Sequence, residues 1–317
     1  MGQEGEELRG ARVKLLAGLG VLLLLAAALW RVWPTLWPAR VLPSEAFRAA
    51  YTAPLPPPDG PVKVYHLGHS LVGRDMPAML AAAAGHDWRA QLGWGASLKN
   101  HLDGQVPGFA EENAHPAFVP VAEAVESGDW PVFVLTEMVE LKDAIRYHDS
   151  ARSLAEWTRR IRTANPQARV YLYETWHRTG DPAGWLERID GDLPALWEGQ
   201  LLRVAMAEPG VGTIHVIPGG QALAALVRAA EAGEIPGVTA RAAFLSDDIH
   251  FSDLGAWAMA MVHYAVIYGR SPVGLPAQLP KADGTLAGAP SEDAARAMQA
   301  VVWRVVTSYP ATGVPKG

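Results

Sequence analysis

The fold is decided by residues 61–72, PVKVYHLGHSLV. An apolar run over Val62–Leu67 ends at a glycine and leads directly to Ser70, and a helical pattern follows over Met76–Ala84. A short apolar run that is bounded by proline and glycine is typical of a buried strand. The stretch therefore predicts a strand-to-helix turn that exposes a serine hydroxyl.

The same alternation of strand and helix continues along the chain. Further strand-like runs are Trp88–Leu92, Pro131–Leu135, Val170–Glu174 and Thr213–Ile217. Helical patterns start at about Ser97 and cover Ser150–Ala164, part of Asp181–Met206, Gln221–Ala232, Ser252–Tyr268 and Ser291–Ser308. Short apolar strands between helices predict a parallel sheet with helices on both faces. Sheets of this kind bind ligands at the carboxyl ends of their strands.

Composition excludes several classes of function. The chain has 317 residues, half of them hydrophobic, with a formal net charge of −6 and no cysteine. The absence of cysteine excludes disulfides, thiol catalysis and cysteine-ligated metals. No basic stripe is present, so we expect no nucleic-acid partner. The histidines lack the spacing of known metal motifs, so we expect neither a metal nor a cofactor.

The N-terminus carries a predicted membrane anchor over residues 13–33. Its only charges, Lys14 and Arg31, lie near the two ends, and about 20 apolar helical residues cross a hydrocarbon core. Basic residues are slightly more frequent before the span than after it, which predicts a cytoplasmic tail over 1–12 and an exported domain. A cleaved signal peptide and a soluble helix are the alternatives. Residues 29–34, LWRVWP, lack the small residues of a cleavage site.

A proline-rich stretch over residues 34–60 follows the predicted anchor. Proline-rich segments are extended and semi-rigid, which suits a spacer between a bilayer and a domain. The sequence therefore predicts a linker over 34–60 and one folded domain over 61–317.

Three motifs carry candidate chemistry, and each follows a predicted strand or precedes a helix. They are GHSL at residues 68–71, GWGASL at 93–98 and DDIH at 247–250. Asp247 can orient the ring of His250, three residues later, while the other ring nitrogen faces a serine. Asp248 could instead cap a helix or face solvent. Each motif alone is also compatible with an ordinary loop.

The order and spacing of these motifs resemble those of the SGNH/GDSL hydrolase family, in a GHSL variant where His69 replaces an acidic residue. The resemblance covers the chain from Val62 to about Tyr268. It implies a three-layer, flavodoxin-like α/β sandwich with a central parallel sheet.

The resemblance also implies the roles of particular residues. Ser70 would be the nucleophile, His250 the general base and Asp247 its orienting partner. The backbone N–H groups of Ser70 and Gly95 would form the oxyanion hole. An ester would then react through an acyl-serine intermediate that water hydrolyses.

The chain departs from the family pattern after the third strand. The family has G-x-N-D there, whereas residues 135–140 read LTEMVE. Losing one oxyanion donor typically costs about a hundred- to a thousandfold in rate. Thr136 or Asn100 could supply a replacement donor. Glu137 as a carboxylate would repel an oxyanion unless burial keeps it protonated.

The expected function is an exported, membrane-anchored serine esterase that removes an acyl or acetyl group from a carbohydrate or a small ester. Candidate substrate-binding residues are His69, Trp94, Asn100, Thr136, Glu137 and Trp176. The two tryptophans are candidates for stacking on a sugar ring, and packing in the core or at the rim of the cleft is the alternative for both. Acyl transfer to a sugar and a binding-only module of the same fold are alternatives. The α/β-hydrolase fold is a further alternative. Its nucleophile motif is G-x-S-x-G, whereas this chain has Val72 at the position of the last glycine.

Overall fold

The computed structural model describes residues 40–316, and Val41 is the first residue of the folded unit. The predicted tail, the predicted anchor over 13–33 and the start of the predicted linker lie outside the described residues. Within residues 40–316, no helix combines the length and the apolar character that crossing a membrane requires.

A parallel sheet forms the centre of the described unit. Its strands are β1 Val64–His69, β2 Trp88–Gly93, β3 Val132–Thr136, β4 Arg169–Glu174 and β5 His215–Pro218. Across residues 40–316 the sheet has five strands in the order β2-β1-β3-β4-β5. The strands are almost wholly buried, which explains why their sequences are mainly apolar. The structure confirms the predicted three-layer α/β architecture around a central parallel sheet.

Helices cover both faces of this sheet. They are α1 Ser44–Ala49, α2 Asp75–Ala84, α3 Leu98–Asp103, α4 Phe109–Glu112, α5 Val121–Ser127, α6 Leu141–Tyr147, α7 Ser150–Ala164, α8 Trp185–Asp192, α9 Gly219–Glu231, α10 Asp253–Tyr268 and α11 Glu292–Ser308. Helix α8 continues into a π-helical stretch, Leu193–Leu202, and a last α-helical turn, Arg203–Ala205.

Two apolar cores separate the three layers. Helices α2, α9, α10 and α11 contribute to one core, whereas α1, α3, α5 and α7 contribute to the other. Alternate strand residues enter opposite cores, as Val64 and Tyr65 of β1 do, because successive side chains of a strand point to opposite faces. The sheet is therefore buried on both faces, so a functional site can form only at the ends of its strands.

The folded unit begins earlier than the proline pattern predicts. Helix α1 lies within the predicted linker and contains the buried Phe47. Tyr51, two residues after the helix ends, is also buried, and the two rings pack edge to face. The Tyr51 hydroxyl donates a hydrogen bond of 2.7 Å to the Ile214 carbonyl. This aromatic pair attaches the segment to the domain instead of leaving it extended.

Candidate active site

Ser70 and His250 lie within hydrogen-bond distance at the carboxyl end of β1. Ser70 is the first residue after the strand and is half-buried. Its Oγ lies 3.0 Å from Nε2 of His250, while Nδ1 of that ring lies 2.7 Å from Oδ2 of Asp247. Because a carboxylate only accepts hydrogen bonds, Nδ1 carries the proton and Nε2 accepts from the serine hydroxyl. The structure thus brings the three predicted side chains into one hydrogen-bonded series.

Asp247 is held in its ionised form by its own loop. Its Oδ1 accepts from the backbone N–H groups of His250 at 2.6 Å and Ile249 at 2.8 Å. Together with the ring N–H of His250, these donors hold the pKa of Asp247 well below its usual range. The carboxylate is thereby available to a histidine that gains a proton.

The loop over residues 245–251 that carries this pair is closed at its base. Leu245 and Phe251 form an antiparallel bridge, and the Ser246 N–H donates to the His250 carbonyl at 2.9 Å. Below the loop, the indole Nε1 of Trp176 donates to the Ile249 carbonyl at 2.8 Å. These contacts fix the backbone on which Asp247 and His250 stand.

An exposed ion pair holds the same loop from outside. One guanidinium nitrogen of Arg178 contacts both carboxylate oxygens of Asp248, at 2.7 and 2.8 Å. The Thr179 N–H also donates to the Asp248 carbonyl at 2.9 Å. Asp248, which the sequence left as a cap or a solvent-facing residue, therefore links the 245–251 loop to the segment after β4.

That segment is anchored in turn by a buried arginine which the sequence reading missed. Arg188 of α8 contacts carboxylates of Glu140, Asp181 and Asp192 at 2.5 to 2.7 Å. The indole of Trp185 donates to the His177 carbonyl at 2.7 Å. Asp181 and Asp192 are close to Arg188 in sequence, and the i,i+4 spacing of Arg188 and Asp192 was a local signal for their ion pair. Glu140 is 48 residues away, so sequence spacing carried no signal for its contact with Arg188.

Two neutral histidines support the nucleophile turn from below. His69 accepts from the Leu71 N–H at Nδ1, and its Nε2 donates to the Glu137 carbonyl at 2.9 Å. His101 donates from Nε2 to the Gly68 carbonyl at 3.0 Å. Burial lowers the pKa of each ring to about 4. His69 is buried under the turn, so the expectation that it binds substrate is wrong.

Gly68 is required by the space around it. A Cβ there would lie 2.7 Å from Cβ of Thr136 and 2.9 Å from Cγ2 of Val72, closer than carbon atoms can approach. Thr136 is itself completely buried against this glycine. Its hydroxyl therefore lies inside the protein, and the expectation that Thr136 donates to an oxyanion is not supported.

The loop over residues 94–98 follows β2 next to Ser70, since Gly93 pairs with His69 in the sheet. Gly95 has a φ of +53°, a left-handed conformation that favours glycine. Its N–H donates no hydrogen bond within residues 40–316. Asn100 forms a capping box with Ser97, and its Oδ1 accepts a hydrogen bond of 3.0 Å from the Ser97 N–H. Its carboxamide oxygen thus stabilises the start of α3.

Glu137 stands where the family resemblance expects an asparagine, and it is completely buried. Its Oε1 accepts from the N–H groups of Met138 at 2.8 Å and Leu98 at 3.2 Å. Burial raises the pKa of this carboxyl to about 7, against the opposing effect of these hydrogen bonds. The group is inside the protein and connects β3 to the start of α3, so it does not face a substrate directly.

The two candidate stacking tryptophans differ in exposure. Trp176 is completely buried against Phe251, so the expectation that it stacks on a sugar is wrong. Trp94 is 55% exposed. Its indole Nε1 donates to Oε1 of Glu112 at 2.9 Å, and its ring lies over Gly108. Among the described residues, no group of three or more histidine, aspartate or glutamate side chains could hold a metal ion.

Comparison with known proteins supports the fold alone. No protein-family model matches the chain, and no curated protein matches it. The chain is similar to a solved DUF4886 family protein from Bacteroides uniformis, with 16% identity, a TM-score of 0.50, and coverage of 79% of this chain and 96% of that one.

Two further solved structures are more distant. A GDSL-like lipase from Parabacteroides merdae has 12% identity and a TM-score of 0.42, covering 66% of this chain and 96% of that one. A carbohydrate esterase family 2 enzyme with a carbohydrate-binding domain, from Corynascus thermopiles (Myceliophthora fergusii), has 10% identity and a TM-score of 0.35, covering 67% of each chain.

Proposed function

We propose that this protein is a serine ester hydrolase of the SGNH/GDSL kind, with Ser70 as the nucleophile. The observation that carries the proposal is the hydrogen-bonded series from Asp247 through His250 to Ser70, at 2.7 and 3.0 Å. Nε2 of His250 takes the serine proton as Oγ attacks the acyl carbon, and then gives it to the departing alcohol. Water, activated by the same nitrogen, hydrolyses the acyl-serine.

Asp247 and Gly95 stabilise the charges that this reaction develops. Asp247 stays ionised, so it orients the ring and stabilises the imidazolium form of His250. The N–H groups of Gly95 and Ser70 donate hydrogen bonds to the oxyanion. The segment after β3 supplies no side-chain donor to the oxyanion. We therefore expect a kcat about a hundred- to a thousandfold below that of a site with all its oxyanion donors.

We extend the proposal to an O-acyl or O-acetyl group on a carbohydrate as the substrate. The site is open, because the side chains of His250 and Asp247 are 44% and 50% exposed. Trp94 follows the residue that pairs with His69, so it lies level with Ser70. Its indole is fixed by Glu112 and supported by Gly108, and it leaves an exposed aromatic surface on the loop that follows β2. A flat apolar surface near polar groups suits a sugar ring better than a lipid chain.

The proposed cellular arrangement follows from the N-terminal sequence. Residues 13–33 would anchor the protein in a membrane and leave the catalytic domain exported. Protease treatment of intact and of permeabilised cells would test this orientation. Cleavage of the domain only after permeabilisation of the inner membrane would contradict it.

Two other functions remain candidates, each for a specific reason. Acyl transfer uses the same acyl-serine, with a sugar hydroxyl in the place of water, and the open site admits such an acceptor. A binding-only module is favoured by the buried Glu137 at the position of the expected asparagine. Product analysis with an added sugar acceptor separates transfer from hydrolysis.

Labelling with a fluorophosphonate tests the nucleophile directly. We expect an adduct on Ser70, located by mass spectrometry, and hydrolysis of p-nitrophenyl acetate. Ser70→Ala should abolish both, with a loss of at least about a thousandfold in kcat/KM. Ser127→Ala, which removes a helical hydroxyl bonded to the Ala124 carbonyl, is the matched control and should change neither. A folded wild type that takes no label would refute the proposal and favour the binding module.

A further inference from the structure

Glu137 connects the two parts of the site that must cooperate. Its backbone carbonyl accepts from Nε2 of His69, the residue before the nucleophile, at 2.9 Å. Its side-chain Oε1 accepts from the N–H of Leu98, three residues after Gly95, at 3.2 Å. One completely buried residue therefore contacts both the Ser70 turn and the loop that carries the oxyanion donor.

The other contacts of the 94–98 loop hold it from different directions. The Ser97 hydroxyl lies 3.0 Å from Nδ1 of His148, and the indole of Trp157 donates to the Leu98 carbonyl at 3.0 Å. The Trp94 N–H donates to the Pro107 carbonyl at 2.8 Å. These contacts give the loop a fixed shape, whereas the contact with Glu137 sets its position relative to the end of β3.

We propose that Glu137 is a positioning residue, which aligns the Gly95 N–H with the acyl-oxygen position above Ser70 by accepting the Leu98 N–H. The inference rests on the proposed function, because it concerns the oxyanion hole of the same site. The positioning depends on the side-chain oxygen of Glu137 as a hydrogen-bond acceptor and does not require its negative charge. A carboxamide oxygen at this position can accept the same two N–H groups, so glutamine should replace glutamate.

The test compares Glu137→Gln with Glu137→Leu, using p-nitrophenyl acetate hydrolysis and the rate of fluorophosphonate labelling. Misplacement of a reacting group by about 1 Å can cost about a hundredfold in rate, so we expect Leu to lower kcat by about that factor. KM should change by less than about threefold, because the loop stabilises the transition state rather than the bound ester. The Gln variant should stay within about threefold of the wild type in both constants.

Glu174 provides a matched control, since it is also completely buried and ends a strand, β4. Its carboxylate accepts from the Gln221 N–H and does not contact the 94–98 loop. Glu174→Gln and Glu174→Leu should therefore leave the kcat of the folded protein unchanged. This control separates the loss of a buried carboxyl in general from the loss of the contact with Leu98.

Each outcome decides between positioning and its alternatives. A folded Leu variant with wild-type kcat would overturn the inference while the labelled Ser70 leaves the proposed function intact. If the Leu variant does not fold, the Gln variant decides alone: a hundredfold loss in a folded Gln variant would mean that the carboxyl itself is required, which also overturns it. An inert wild type would refute the proposed function and the inference with it.

Discussion

The two sides of Ser70 differ in almost every physical respect. On one side, His250 and Asp247 stand on an open loop, with side chains 44% and 50% exposed. On the other side, His69, His101 and Glu137 are at least nine-tenths buried. The open side keeps an ionised carboxylate, because three N–H groups donate to Asp247. The buried side favours uncharged forms of its histidines and of its glutamate, because water is absent.

The difference separates reactivity from positioning. Proton transfer needs groups that can change charge, and these lie where solvent and substrate reach them. The groups below Ser70 hold backbone atoms on both sides of the nucleophile, and they do so best when they stay uncharged. Changes to the histidines on the buried side should therefore affect folding first, whereas changes in the open loop should affect rate first.

The largest expected effect is acid unfolding driven by buried histidines. Burial lowers to about 4 the pKa of His69, His86, His101, His215 and His263. Their folded pKa lies below the unfolded value of about 6.5, so their stabilisation is complete above pH 6.5 and is lost as the pH falls toward 4. Acidification can lower the free energy of unfolding by up to about 3 kcal/mol for each of these histidines. Together they should lower it by several kcal/mol. Urea unfolding at pH 7 and pH 5 measures it.

Two buried glutamates have the opposite effect on the pH dependence of stability. Burial raises the pKa of Glu137 to about 7 and that of Glu174 to about 8, so their contribution to stability is complete below about pH 4.5 and is lost as the pH rises through these values. His101→Gln should remove about one proton from the acid dependence. An acid dependence that His101→Gln leaves unchanged would show that His101 is not desolvated as described.

A smaller effect is expected from Gly68→Ala. The new methyl group would meet Thr136 and Val72, so the turn before Ser70 must shift. Overpacking of this kind costs about 1–3 kcal/mol, and kcat should fall because the nucleophile moves away from His250. Gly60→Ala is the control, because a Cβ at Gly60 meets nothing within 4 Å. A variant with normal stability and normal kcat would show that the turn is not fixed from below.

The smallest effect is expected from Arg178→Ala on the open side. Arg178 is exposed, so removal of its pair with Asp248 should change the free energy of unfolding little. It should nevertheless lower kcat several-fold, since it frees the loop that carries Asp247 and His250. Arg228→Ala removes a comparable exposed pair with Asp190 on α8 and should leave kcat unchanged. Equal effects of the two variants on kcat would contradict the role of Arg178 in holding the loop.

Local patterns predicted those parts of the molecule that depend on neighbouring residues. The apolar runs gave all the strands of the described sheet to within a few residues, because strands buried on both faces are mainly apolar. The short helices α1, α4, α5 and α6 were missed. Helices of this length are not stable by themselves, and tertiary contacts decide whether they form.

The sequence by itself determined the parallel α/β architecture and the order of the GHSL, GWGASL and DDIH motifs along the chain. Asp247 and His250 are close in sequence, so their hydrogen bond could be expected from spacing. Only the tertiary structure decided that His69 and Trp176 are buried, that Trp94 is exposed and that Glu137 joins two loops. Burial and long-range hydrogen bonds depend on which segments meet at the strand ends, and side-chain type alone does not specify this.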